Sequence, residues 1–173
     1  IFTNQLLAST KDKIINNFNK INNLSFNFIQ TIDGKDEKGN CVIKYPKKIY
    51  CIYTLKNRKE LVSNGNTLVI KNEKNKQYYL YPIETTPLNI ILDKQLMINK
   101  FKELKLNKLG DKYYNFKLED NFNIINIFFN NKDLNITGWQ TEDIFQNLTV
   151  TFIFDLKINN NINEKIFTLP KMF

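Results

Sequence analysis

Between Leu24 and Tyr53 the sequence LSFNFIQTIDGKDEKGNCVIKYPKKIYCIY sets apolar residues at every second position in three runs. Leu24, Phe26 and Phe28 form the first run; after a charged, glycine-flanked turn come Cys41, Ile43 and Tyr45. Pro46 interrupts the pattern, which resumes at Ile49, Cys51 and Tyr53. Successive side chains of an extended chain point to opposite faces, so the spacing predicts a three-strand antiparallel meander with one apolar face. A sheet that small cannot leave such a face in water. The rest of the chain must extend the sheet or cover it.

Two segments suit covering. Thr3 to Asn23 carries Leu7, Ile14, Phe18 and Ile21 at helical spacing, with Thr3 as a candidate N-cap. Its many asparagines lower helix propensity, so this helix should depend on packing against something apolar. Further on, Pro82 and Pro87 bracket a break, and the run Leu88-Asn89-Ile90-Ile91-Leu92 does not alternate. Proline suits a first helical turn and Thr85 or Thr86 could cap it, so Thr86 to about Leu96 reads as a short apolar helix. Within a meander it reads as a plug or lid, carried by Leu88, Ile91 and Leu92.

The remaining segments extend the sheet. Leu61 to Ser63 and Thr67 to Ile70 read as strands joined through Asn64-Gly65, whose residues tolerate positive φ. Gln77 to Tyr81 follows the polar turn from Lys71 to Lys76. Later strands are expected at Glu103–Lys108, Tyr113–Leu118, Phe122–Phe129, Asp133–Gln140, Asn147–Leu156 and Ile166–Leu169, with polar turns between. The expected fold is mainly β with some α: one strongly curved antiparallel sheet of about eleven strands, an incomplete or half β-barrel, in one domain over residues 1–173.

Composition narrows the function. The chain has no histidine, which removes the commonest general base and most nucleophile pairs and zinc sites. Asp33, Asp36 and Glu37 share a stretch with Lys35 and Lys38 and read as a solvated turn, as does Glu142-Asp143. Neither group has the ligand pattern of a calcium loop, and no serine lies in a nucleophile-elbow context. No metal, cofactor or enzymatic activity is expected. The net charge of +8 could attract nucleic acid, but the lysines are dispersed and Arg58 is the sole arginine. Abundant Lys, Asn and Ile look like the imprint of an AT-rich genome, and no nucleic-acid partner is expected. No apolar run approaches the roughly 20 residues needed to cross a bilayer. The chain starts at Ile1 with no basic leader, so a targeting peptide has been removed or the chain trimmed.

Several segments together resemble the LolA-type periplasmic lipoprotein carriers. They are the N-terminal helix leading into LSFNFIQTI, then GNCVIKYPKKIYCIY, ELVSNGNTLVI, QYYLYP, TTPLNIIL, and a closing Phe-x-x-Pro from Phe167 to Pro170. The resemblance implies a bent, incomplete barrel closed by helices, located in the periplasm. Its cavity would take the acyl chains of lipoproteins released by an inner-membrane ABC transporter and deliver them, as a monomer, to an outer-membrane receptor. Two departures stand out. The family often carries an arginine directly before the proline of the second strand, directed at the lid, where this chain has Tyr45. A tyrosine offers a single donor and no charge. The chain also ends soon after Pro170, without the C-terminal extension of some carriers.

On this reading the cavity would be lined by Leu24, Phe26, Phe28, Ile43, Tyr45, Ile49, Cys51 and Tyr53, and the cover would be carried by Leu7, Ile14, Phe18, Ile21, Leu88, Ile91 and Leu92. The alternative is that these residues form a permanently packed core. A register that opposes Ile43 to Ile49 also opposes Cys41 to Cys51, so the two cysteines form either a cross-strand disulfide or two small buried hydrophobes. The competing function on the same scaffold is a lipid- or protein-sensing receptor module that does not shuttle cargo.

Overall fold

The computed structural model describes residues 2–54, 58–120, 123–142 and 145–171. A helix α1 (Phe2–Asn19) precedes six strands: β1 (Asn23–Ile32), β2 (Lys35–Lys44), β3 (Lys48–Tyr53), β4 (Lys59–Asn64), β5 (Thr67–Asn72) and β6 (Gln77–Pro82). A 3-10 turn (Ile83–Thr85), a single helical turn α2 (Leu88–Ile91) and a helix α3 (Lys94–Glu103) then carry the chain across. The return runs through β7 (Asn107–Leu109), β8 (Tyr113–Asp120), β9 (Asn123–Asn130), β10 (Ile136–Glu142) and β11 (Leu148–Ile158), with a last 3-10 turn at Glu164–Phe167.

All eleven strands belong to one antiparallel sheet in the order β6-β5-β4-β3-β2-β1-β11-β10-β9-β8-β7. The chain meanders outward from β1, crosses by α2 and α3 to the opposite edge, and meanders back until β11 pairs with β1. The two edges, β6 and β7, do not pair. The sheet is therefore an open half-barrel, and its concave face carries the core.

Local sequence explains the first hairpin. Asp33 and Gly34 both have positive φ (48° and 72°), the two-residue turn whose twist matches flanking strands. Because only those two residues turn, β2 begins at Lys35, and Asp36 and Glu37 lie on a strand rather than in the solvated turn the charge pattern suggested. Asp36 accepts a hydrogen bond from the Thr31 hydroxyl (2.6 Å) and Glu37 pairs with Lys59.

The concave face is filled unevenly. Over the strands of the returning half, Phe18 of α1 and Phe101 of α3 join Phe116 and Phe129 in one aromatic cluster. Phe101 stacks on Phe116 with centroids 4.2 Å apart, and all four rings are essentially inaccessible. Each such ring contributes about 1.5–3 kcal/mol by burial, so this half is closed by packing. The antiparallel helices are tied at both ends. Lys11 donates to the Lys102 and Leu104 carbonyls, and Lys94 donates to those of Asn19 and Ile21.

Several sequence expectations are corrected. Thr3 does not precede the first helix, which already includes Phe2. The helix expected over Thr86–Leu96 is broken. α2 ends at Ile91, and Asp93, in an extended conformation, starts α3 by accepting a hydrogen bond from the Leu96 amide. Pro87, not a threonine, stands at the start of α2; the Thr85 and Thr86 hydroxyls donate back to the Pro82 and Ile83 carbonyls. Most of the strand expected at Glu103–Lys108 is helix end and connection, and only Asn107–Leu109 pairs. Ile166–Leu169 is not a strand. Its Phe167 is buried where the last 3-10 turn contacts β3 and β4. Phe122, where another strand was expected to start, and Asp143 lie outside the described residues, as do Ile1 and Phe173.

Candidate functional site

The outgoing half of the sheet is not filled. It encloses a cavity of about 280 Å³ lined by Phe28, Gln30 and Ile32 of β1, Cys41 of β2, Ile49, Cys51 and Tyr53 of β3, Lys59 and Leu61 of β4, and Leu68 and Ile70 of β5. Trp139 and Thr141 of β10 and Thr149 and Thr151 of β11 form the far wall, and Thr86, Pro87 and Leu88 lie across it. A cavity of this size sits at the lower end of small-molecule pockets and suits one extended apolar chain rather than several.

Strand registers explain which side chains meet. Cys41 opposes Cys51, which opposes Leu61, which opposes Ile70, making an apolar row across β2 to β5. Within it the Cys41 and Cys51 sulfurs are bonded as a disulfide. One row nearer the hairpin end, Gly39 lies between Phe28 and Tyr53, whose rings meet edge-on at 4.9 Å. A methyl group at Gly39 would come within 2.8 Å of the Phe28 ring and 2.1 Å of the Ile52 carbonyl oxygen. Glycine there makes room for the aromatic pair.

The next row is polar. Glu37 opposes Gln30, Gln30 opposes Thr151, and Thr151 opposes Trp139. The Tyr53 hydroxyl donates to Gln30 Oε1 (3.2 Å), and Gln30 Nε2 donates to Thr151 Oγ1 (2.9 Å). The Lys59 ammonium lies 4.2 Å from the Tyr53 ring centre and is paired with Glu37. Burial, and behind it the Glu37 charge, push the Tyr53 hydroxyl above its usual range. The cavity is thus amphipathic: an apolar floor over the disulfide and a hydrogen-bonding belt at the hairpin end.

Of the expected lining residues, Phe28, Ile49, Cys51 and Tyr53 face the cavity. Leu24, Phe26, Ile43 and Tyr45 do not; they belong to the packed core, with Tyr45 edge-on to Phe18 and Phe26 edge-on to Trp139. Of the expected cover residues only Leu88 lines the cavity. Ile14, Phe18, Ile21, Ile91 and Leu92 are buried in the core and Leu7 packs against it.

The link to the end of α2 comes from the residue after the proline. The Lys47 amide donates to the Leu92 carbonyl (2.7 Å), and its ammonium lies 3.8 Å from Asp93. Tyr45 works through its ring, and burial raises its hydroxyl above the usual range. The sequence reading missed Gln30, Ile32, Lys59, Leu61, Leu68, Ile70, Trp139 and the threonines. Gln30 and Ile32 were available as the continuation of the alternation from Leu24, Phe26 and Phe28.

The site is thus the unfilled part of an open half-barrel's concave face, with Thr86, Pro87 and Leu88 across it. The sequence pattern of the outer membrane lipoprotein carrier protein LolA matches residues 19–170, and the chain belongs to that family. The fold is similar to that of a LolA superfamily protein from Nitrosomonas europaea, at 11% identity and TM-score 0.52, with 94% of this chain and 97% of that one covered. It is also similar to an uncharacterized conserved protein from Thermus thermophilus, at 9% identity and TM-score 0.54, with 98% and 95% covered. MucB, in the Pseudomonas aeruginosa MucA/MucB complex, is a third likeness, at 10% identity and TM-score 0.52. The match covers 94% of this chain and 61% of that one. No curated protein matches the sequence. Among the described residues no helix is long and apolar enough to cross a membrane.

Proposed function

We propose that this protein is a periplasmic carrier that holds the acyl chains of lipoproteins in the cavity between β1–β5 and β10–β11. It would receive them from an inner-membrane ABC transporter and surrender them to an outer-membrane receptor, without making or breaking a bond. The observation that carries the reading is the apolar cavity floor closed by a single helical turn. Each methylene moved from water to such a surface gains about 0.8 kcal/mol, enough for binding and small enough, over part of a chain, for release. Leu88 contributes one apolar side chain to the closed site, and a longer or second acyl chain would require that turn to move.

A second reading, a protein- or lipid-sensing module that does not shuttle cargo, is supported by the likeness to MucB, which has been solved with MucA. Inner-membrane vesicles of the source cell, energised with ATP in the presence of the protein, separate the two. A carrier brings acylated protein into the supernatant as an equimolar complex and passes it on to outer-membrane vesicles. A sensor yields no such complex, and that result would overturn the carrier reading.

A further inference from the structure

The polar row at the hairpin end has no role in holding a hydrocarbon chain, yet side-chain hydrogen bonds link it across β3, β1 and β11, and an ion pair joins β4 to β2. We propose that this row reads the linkage of the acyl chain. Gln30 donates to the carbonyl of an ester- or amide-linked chain, and Glu37, by holding Lys59, excludes chains that end in a free carboxylate. The inference rests on the acyl-binding reading given above and specifies which acyl compounds the cavity accepts.

Gln30 lines the cavity, and its side-chain amide has two N–H donors. One is directed to Thr151 Oγ1, and its oxygen accepts from Tyr53. These two bonds fix the amide plane and leave the second N–H for a ligand carbonyl. The Thr151 hydroxyl, accepting from Gln30, keeps its own proton to donate.

The charges decide the selectivity. Lys59 is the only cationic side chain lining the cavity among the described residues. Its ammonium is paired with the Glu37 carboxylate and lies over the Tyr53 ring. Glu37 stands directly opposite Gln30 in the ladder, on the same face. A carboxylate at Gln30 would therefore meet a neighbouring carboxylate whose cation is already paired, whereas a neutral carbonyl would take the Gln30 and Thr151 donors without bringing a second negative charge beside Glu37. Like charges on neighbouring ladder positions disfavour one another, and a bound anion would have to compete with Glu37 for Lys59. The overall charge of +8 works the other way, but at physiological salt it is screened beyond about 8 Å.

The test uses displacement of Nile red, an uncharged dye, from the full chain at about pH 8, where carboxyl heads are ionised. The competitors are monolaurin, N-lauroylglycinamide and laurate, which share one chain and differ in the head. Wild type should bind the ester and the amide at least ~10-fold more tightly than laurate, the scale of one hydrogen bond to a charged group gained or lost. Glu37→Gln should raise laurate affinity to within ~2-fold of the ester, and that gain should fall as salt rises. Lys59→Met should keep ester binding and weaken laurate further. Gln30→Leu should weaken ester and amide by about 2–10-fold. If the ester alone responds to Gln30→Leu, the source read is a glyceride; if the amide alone responds, it is an N-acylated peptide. Laurate binding equal to the ester in wild type, or a ratio unmoved by Glu37→Gln, would overturn the proposal while leaving acyl binding intact. Failure of all three compounds to displace the dye would overturn acyl binding itself.

Discussion

Single side chains set the shape of this cavity. Gly39 is the sharpest case, because any β-carbon there would lie 2.1 Å from the Ile52 carbonyl oxygen. Gly39→Ala should lower stability by ~2 kcal/mol or more, read as a fall in the urea midpoint without a change in slope; an unchanged midpoint would mean that β2 and β3 separate easily. Tyrosine ionisation supplies a second prediction. The Tyr45 and Tyr53 hydroxyls are raised by burial above the usual value of 10.0. The folded protein therefore holds these protons more tightly than the unfolded chain, so the associated stability is present below about pH 10 and is lost as pH rises above it. The double variant Tyr45→Phe with Tyr53→Phe should flatten that alkaline decline in denaturant midpoints measured across the range, while Tyr45→Phe alone should shift neutral-pH stability by no more than ~0.5 kcal/mol.

Among the elements, α2 is the one whose role the structure revises. Leu88 touches the cavity, whereas Ile91 is fully buried in the core. Leu88→Ala should enlarge the cavity and speed and tighten binding of an apolar probe at little cost in stability. Ile91→Ser should behave as a buried truncation, lowering the unfolding midpoint by roughly 2–4 kcal/mol equivalent with no gain in binding. Stopped-flow on-rates and urea curves on both variants check the pair. Periodicity reported existence better than boundaries. The opening meander was legible because Leu24 to Tyr53 alternates cleanly, and the Cys41–Cys51 register followed from Ile43 opposing Ile49. The break before α3 was not, although Asp93 as N-cap and Met97 with Phe101 four residues apart were signals for it. On β11 apolarity points the wrong way. Leu148, Val150, Phe152 and Phe154 are 37–44% exposed, while Thr149 and Thr151 line the cavity. Pairing with β1 fixes that choice, since Thr151 must lie beside Gln30 and Ile153 beside Phe28. No single-strand pattern carries that information. The polar belt was partly legible: Gln30 shares the register of Leu24, Phe26 and Phe28, but its polarity and that of Lys59 gain a meaning only once the strands are paired.

At the scale of the whole molecule, one sheet does two jobs. Its returning half is sealed by α1, α3 and the aromatic cluster around Phe101. Its outgoing half keeps an apolar space beside α2. The sealed half is closed by packing, so a chain longer than the existing cavity holds should move α2 and not α1. The measurement that tests this most directly is titration of a fluorescent palmitoylated peptide into wild type and into Ile70→Trp, which fills the cavity from β5. Wild type should bind an equimolar amount, with affinity changing by no more than ~2-fold between low and high salt, because apolar burial is not screened. Ile70→Trp should keep the fold and lose the binding. Absence of binding by wild type, a steep loss with salt, or an Ile70→Trp protein that binds as well as wild type would contradict the account.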